Sequence, residues 1–294
     1  MRFLVTGAGG MLGRDLVDVL TARPDHRVTA ATRADLDITD PAAVHAAVGG
    51  HDVVVNTAAW TDVDGAEADE SAATAVNGDA VGHLAAACAA HRVRLLHLST
   101  DYVFDGTATT PYPEHAPTAP LNAYGRSKLV GERAVTRLLP DAGYVVRTAW
   151  LYGTHGRNFV TTMLDLADRR DTLDVVDDQR GQPTWSRALA HQLVMLAEAA
   201  DTGRAAPGVY HGTCSGETTW YGLARAVFAR HGLDPDRIRP TTSARFVRPA
   251  RRPTYSVLGH GRWAEAGLSP LPDWHATLVD AFAPAAPLSP WKVV

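Results

Sequence analysis

The chain has 294 residues, 46% of them hydrophobic, enough for a sizeable core and for one or two domains. Its formal net charge of −4 offers no global field for nucleic acid or an anionic membrane, and no apolar run approaches the ~20 residues of a membrane span. The first strand begins at Arg2, which leaves no room for a signal peptide, and Cys88 and Cys214 are too few and too far apart for a disulfide framework or a zinc site. A cytoplasmic protein with two reduced thiols is expected.

Taken in chain order, the first half alternates strand and helix. Arg2 to Thr6 is a short apolar strand, followed by glycines and a helical pattern from Met11 to Ala22. Val28 to Ala31 reads as a second strand. Asp52 to Asn56 is a third, with a β-branched core of the kind buried on both faces. Ala66 to His91 is alanine-rich and predicts one long helix. Arg94 to Leu98 is the next strand, ending at Ser99-Thr100; Tyr124 to Leu138 reads as helix and Tyr144 to Arg147 as strand. Repeated β-α units with short strands imply a parallel sheet covered by helices on both faces.

After Trp150 the rhythm weakens. Helices are expected over Asn158 to Asp168, Arg187 to Ala199 and Thr218 to His231, with strands at Leu173 to Val176 and Val209 to His211. This later chain reads as a smaller lobe with some segments returning to the large sheet. A basic, proline-broken stretch runs from Arg237 to Pro253, and a Pro/Ala tail from Ala283 to Pro290.

Three features carry chemistry. Gly7, Gly10 and Gly13, with an extra Gly9, form a turn between the first strand and the first helix. Glycines there let the backbone approach a pyrophosphate closely, and the helix N-terminus then faces the phosphates. Met11 and Leu12 would offer N–H groups to the same ligand. The end of the second strand holds Arg33 and no carboxylate, so Arg33 either neutralises a 2′-phosphate, favouring NADPH over NADH, or stands in solvent. Asp37 and Ile38 could bracket an adenine; alternatively Asp37 serves the turn before the helix near Pro41, a role Asp40 fills better. Small residues at Ala58 and Ala59, beside Trp60, would let a cofactor lie across the strand ends.

The second feature is Ser99-Thr100-Asp101 at the carboxyl end of the fourth strand, where a hydroxyl can donate to a substrate carbonyl. The third is Tyr124 with Lys128, one helical turn apart on one face. Tyr124 can supply the proton as hydride reaches a carbonyl carbon. Lys128 can hold a ribose and lower the phenol pKa. As an isolated pair, Tyr124 and Lys128 would read as surface helix residues; the other two features give them a catalytic context.

The chain resembles the extended short-chain dehydrogenase/reductases, and among them the dTDP-4-dehydrorhamnose reductases and their relatives in antibiotic deoxysugar pathways. The resemblance lies in Val5 to Gly13, Asn56 to Asp64 with Glu67, Ser99 to Gly106, Pro120 to Gly125 through Gly131-Glu132, Arg147 to Tyr152, Asn158-Phe159, Asp178 to Thr184, and Arg252-Pro253 with Ser256 and Leu258. It implies an α/β fold with a Rossmann-type doubly wound parallel sheet and NADP-binding domain in residues 1–150. Residues 151–294 would be mainly a smaller α/β lobe for a sugar nucleotide.

By the same resemblance, Tyr124 is the proton donor, Lys128 its partner and Thr100 the carbonyl-polarising hydroxyl. Thr100, Asp101 and Trp150 would contact a dTDP-linked 4-dehydro-6-deoxysugar, and Gly10, Met11, Leu12, Asp37, Ile38, Ala58, Ala59 and Trp60 would line the cofactor. Trp150 and Trp60 could equally serve as packing. The sugar-nucleotide dehydratases that it resembles more distantly place Glu after the Thr-Asp pair. Tyr102 stands there in this chain, which argues for simple ketone reduction. An epimerase of the same fold and a nonenzymatic NADP-binding regulatory subunit are the rival readings.

Two departures from the family pattern are visible. Gly259-His260 follows Leu258 where an acidic residue is usual. The end of the chain carries Asp273 and Asp280 but no glutamate cluster, so the magnesium site of some family members is not expected. Arg245, Arg248, Arg251 and Arg252 form either a clamp on the substrate diphosphate, with Arg252 its leading candidate, or a solvated loop. A homodimer stays open.

Overall fold

The computed structural model describes residues 1–282; the Pro/Ala tail read at Ala283 to Pro290 lies outside them. Strands β1 (Arg2–Thr6), β2 (Arg27–Ala31), β3 (Val53–Asn56), β4 (Arg94–Thr100) and β5 (Gly143–Thr148) form a parallel sheet in the order β5-β4-β3-β1-β2. A sixth strand, Gly208–His211, comes from the later chain and pairs in parallel with the free edge of β5.

The sheet is buried on both faces, and β3 shows why. Val53 and Val55 point into one apolar cluster with Leu16 and Leu20 of helix α1 (Met11–Thr21). Val54 points the other way, into a cluster with Val44 and Val48 of α2 (Pro41–Val48). Burying each such valine is worth about 1.5–3 kcal/mol, so a continuous aliphatic strand is stable only when helices cover both faces. Helix order follows the wrapping. The face with α1 also receives α8 (Ser186–Asp201), whose Leu189 and Leu193 are fully buried.

The alanine-rich segment departs from its reading as one helix. It is broken into α3 (Val63–Ala68), α4 (Glu70–Thr74), a π-helical turn (Ala75–Asp79) and α5 (Ala80–His91). Alanine propensity favours an unbroken helix, but side chains compete with it. Asp69 accepts from the Ala72 N–H and starts α4. Asn77 sits in the π turn with its amide turned inward: its Oδ1 accepts from the Trp60 N–H at 2.9 Å, and its Nδ2 donates to the Trp60 carbonyl at 3.0 Å and to Ser127 Oγ at 3.0 Å. A π bulge is the usual way a helix turns one side chain off its regular face.

Helix α6 (Ala123–Leu138) runs against this segment and carries Tyr124, Lys128 and Glu132 along one side. Its N-cap is Asn122, whose Oδ1 accepts from the Gly125 N–H at 2.8 Å. The later chain adds α7 (Phe159–Ala167), capped by Asn158, and α9 (Trp220–Arg230), capped by Thr219. Leu173–Val176 pairs with Ile238–Thr241 in a separate two-stranded sheet.

Candidate active site

A cavity of about 860 Å³ opens along the carboxyl ends of β1, β2, β3 and β4. The glycine turn forms one wall. A Cβ on Gly7, which has φ +71°, would stand 2.5 Å from the Ala58 nitrogen, and one on Gly13 would meet the Gly7 carbonyl oxygen. Both positions therefore need glycine for the strand–helix turn to close. Gly10 caps α1 without a side-chain acceptor, and no acidic residue occupies the first turn. The N–H groups of a helix start are left for an anion to meet.

Gly7, Gly10, Met11, Leu12 and Gly13 line this end of the cavity, and Arg33, Asp37 and Ile38 line it beyond β2. Ala58, Ala59 and Trp60 line it past β3, and Tyr124 and Lys128 past β4. The tertiary structure thus brings together residues spread over more than a third of the chain. The donor set fits a phosphorylated dinucleotide: a glycine-lined helix start, an exposed arginine at the far end, and small residues between.

Asp37 makes a local turn as well as lining the cavity. Its Oδ1 accepts from the Thr39 N–H at 3.0 Å and the Thr39 hydroxyl at 2.8 Å, bonds that hold its carboxyl below the usual range. Asp40 is the N-cap of α2.

At the Tyr124 end of the cavity, Lys128 is buried. Its Nζ donates to the Leu98 carbonyl oxygen at 2.6 Å, and desolvation lowers its pKa to about 8. Tyr124 does not have the depressed pKa expected of it. Burial comes first and the nearby Asp101 carboxylate second in pushing the phenol up, with the Thr100 hydroxyl a partial counterweight. Lys128 points to the strand backbone, so its charge acts on Leu98 and His97 and not first on the phenol. Asp101 itself is buried and its pKa is raised to about 6, mainly by desolvation. Thr100 donates to Asp101 Oδ1 at 3.0 Å and accepts from the Tyr102 N–H at 3.2 Å.

The profile of the RmlD substrate binding domain family matches residues 1–286. The chain belongs to that family. It is 55% identical over 283 residues to the dTDP-4-keto-6-deoxy-D-glucose reductase of Streptomyces niveus, covering 96% of each chain. It is also 55% identical over 283 residues to the dTDP-4-dehydrorhamnose reductase of Streptomyces griseus, covering 96% of this chain and 93% of that one. The solved dTDP-4-dehydrorhamnose reductase of Bacillus anthracis in complex with NADP superposes with a TM-score of 0.89 at 32% identity, covering 96% of this chain and 98% of that one.

The residues read as substrate contacts do not line the cavity with the cofactor set. Trp150 follows β5 with φ +46°, a left-handed conformation that costs a bulky residue about 1–3 kcal/mol. It is held by Trp220, stacked face to face at 3.6 Å between ring centroids and 10° between planes. A Cβ on Gly181 would stand 2.6 Å from the Trp150 ring, so the opposite strand must leave room. Trp150 is thus a half-buried wall braced from the later chain.

Arg252 is already engaged. Its guanidinium grips both oxygens of Asp64 at 2.5 and 3.0 Å, while Asp64 also accepts from the Ala250 N–H. Arg248 approaches the same carboxylate at 3.6 Å. Arg252 ties two segments 188 residues apart, and its fork faces a carboxylate and not an open anion site. The half-buried Tyr102 stands with its ring edge-on to Tyr124 at 6.1 Å and 85°.

Two buried networks had no role in the sequence reading. Ser99 donates to Glu132 Oε1 at 2.5 Å, and Arg147 donates to both Glu132 oxygens at 2.9 and 2.7 Å, all three side chains buried. This locks α6 onto β4 and β5 one turn beyond Lys128. Thr6 donates to Asn56 Oδ1 at 2.7 Å, and Asn56 Nδ2 meets His97 Nδ1 at 3.0 Å, linking the ends of β1 and β3 to the middle of β4. Asn56 Oδ1 also accepts from the Ala58 N–H, fixing the segment that lines the cavity. Polar residues ending β1 (Thr6) and β3 (Asn56), with His97 inside β4, were the available signal.

Proposed function

We propose that this protein reduces the C4 ketone of a dTDP-linked 4-dehydro-6-deoxyhexose, in the manner of a dTDP-4-dehydrorhamnose reductase, with NADPH as the reductant. The observation that carries this reading is one cavity lined at one end by the glycine turn and at the other by Tyr124 and Lys128. The relatives' names supply the substrate class, and the NADP complex of the Bacillus anthracis reductase supplies the cofactor class.

Reduced nicotinamide dinucleotide supplies the hydride. Tyr124 gives its proton to the carbonyl oxygen as charge develops there, and Thr100 turns its hydroxyl proton from Asp101 to that oxygen when substrate binds. A neutral, high-pKa phenol suits the role of acid in the reductive direction, because it holds its proton until an alkoxide forms. Lys128 holds the ribose next to the nicotinamide, with Leu98 fixing the ammonium from behind. Trp150 and Asp101 face the sugar nucleotide, and Arg33 meets the 2′-phosphate. The residue after Asp101 is Tyr102, whose phenol pKa is pushed up by desolvation, so no carboxylate stands there for the acid–base work of dehydration.

In this reading, residues 1–150 hold the cofactor and the later chain supplies the sugar-nucleotide lobe. Among the described residues no helix is long and apolar enough to cross a membrane. Both cysteines are free and buried, compatible with the cytoplasm as the working compartment.

The test is incubation with dTDP-4-dehydro-sugars and NADPH. Stoichiometric loss of the reduced-nicotinamide absorbance, with NMR showing a new C4 hydroxyl, supports reduction. Product formed without net consumption of cofactor would mean epimerisation, and no turnover with retained NADPH binding would mean a regulatory subunit.

A further inference from the structure

We infer that Arg157, from the loop between the short strand Leu151–Tyr152 and α7, closes over the cofactor diphosphate and anchors NADPH and NADH alike. The inference rests on reading the large cavity as the cofactor site. Arg157 and Gly156 are the residues of this loop that line it, and Arg157 is exposed to solvent. Among the described residues its guanidinium has neither a carboxylate partner nor an acceptor within the protein.

Its place along the cavity follows from what the loop rests on. A Cβ on Gly153 would stand 3.4 Å from Met11 Cγ, in the first turn of α1, and would run into Ser186 Oγ. Ser186 in turn donates to Asp15 of α1 at 2.5 Å, and His155 Nε2 lies 3.9 Å from the same carboxylate. The loop therefore sits on the N-terminal half of α1. Asn158 holds it there: its Nδ2 donates to the carbonyls of Gly153 at 2.9 Å and Gly156 at 3.3 Å, while its Oδ1 caps α7. The loop carrying Arg157 is thereby held at the glycine-turn end, whereas Arg33 belongs to the wall formed with Asp37 and Ile38.

The two arginines divide the work by position. Arg33 discriminates between cofactors, since it stands at the adenosine end. Arg157 faces the negative charge common to both cofactors, at the end where the backbone N–H groups of α1 stand. A guanidinium fork gives two charge-assisted hydrogen bonds to a diphosphate. Because it comes from the later chain, bound cofactor also ties that chain to the sheet.

The experiment is fluorescence titration of NADPH and NADH into wild type, Arg157→Ala and Arg33→Ala at two salt concentrations. Failure of the wild type to bind either cofactor would overturn the reading of the cavity itself. Given binding, Arg157→Ala is expected to raise both dissociation constants about tenfold, with their ratio unchanged and a shallower salt dependence. Arg157→Lys should recover part of the loss. Unchanged affinity for both cofactors would overturn the inference, and so would a loss confined to NADPH, which would put Arg157 at the 2′-phosphate. An unaltered thermal melt of Arg157→Ala without cofactor separates the effect from misfolding.

Discussion

The ammonium of Lys128 donates to the carbonyl oxygen of Leu98 at 2.6 Å in a buried site. The side chain that the Tyr-x-x-x-Lys spacing pairs with a phenol is thus braced against the strand beneath it. That bond directs the ammonium, and burial makes its charge costly: the pKa falls from 10.5 to about 8.

The cost has a measurable sign. Between pH 8 and 10.5 the unfolded chain keeps the Lys128 proton that the folded chain has lost, so stability rises with pH in that window. The full difference is about 3 kcal/mol. Lys128→Met should lose this rise. Urea unfolding of both proteins at pH 7 and pH 10 checks it, and parallel pH dependences for the two would refute it. Activity should fall in the variant although its stability at pH 7 does not.

Replacing Tyr124 by Phe removes the hydroxyl that the proposed mechanism uses as proton donor and leaves the ring. Turnover should drop by about 10²–10⁴-fold. NADPH affinity should be close to wild type. Near-normal turnover would sink the assignment of Tyr124 as the acid.

Arg147→Met leaves Glu132 buried without its bidentate partner, with only Ser99 still donating to it. The expected loss is about 3–5 kcal/mol of unfolding free energy, read from chemical denaturation. Because Glu132 lies one turn beyond Lys128 on α6, activity should fall at temperatures below the melt as well.

Trp220→Ala withdraws the ring that holds Trp150 in its left-handed conformation. Such aromatic pairs are worth about 0.5–1.5 kcal/mol. The KM for the sugar nucleotide should rise several-fold while the NADPH dissociation constant stays put. Steady-state kinetics with varied sugar nucleotide decides it, and an unchanged KM would mean that Trp150 serves packing alone.

Much of the large sheet is legible in the sequence because β3 carries an unbroken run of valines and its neighbours are mainly apolar, and such runs are stable only between two helical layers. The glycine turn is legible for a related reason: Gly7 and Gly13 stand where a Cβ would strike backbone. The reading failed where side chains compete with the backbone. Nothing in the composition of Ala66 to His91 says that Asp69 will start a new helix or that Asn77 will turn inward to hold Trp60.

The site divides in the same way. Tyr124, Lys128 and Thr100 could be picked out from the sequence because their residue types and spacing suit one chemistry. Which charges they meet could not, since burial and partners are set by segments far away in the chain. Asp64 takes Arg252 from a distance of 188 residues, Leu98 takes Lys128, and burial, with Asp101 second, raises the phenol that the spacing predicts to be acidified. Periodicity and turn chemistry are local, and by themselves they determined the strand–helix order and the candidate residues. Desolvation and ion pairing act through space, and only the tertiary structure decided the protonation and direction of those side chains.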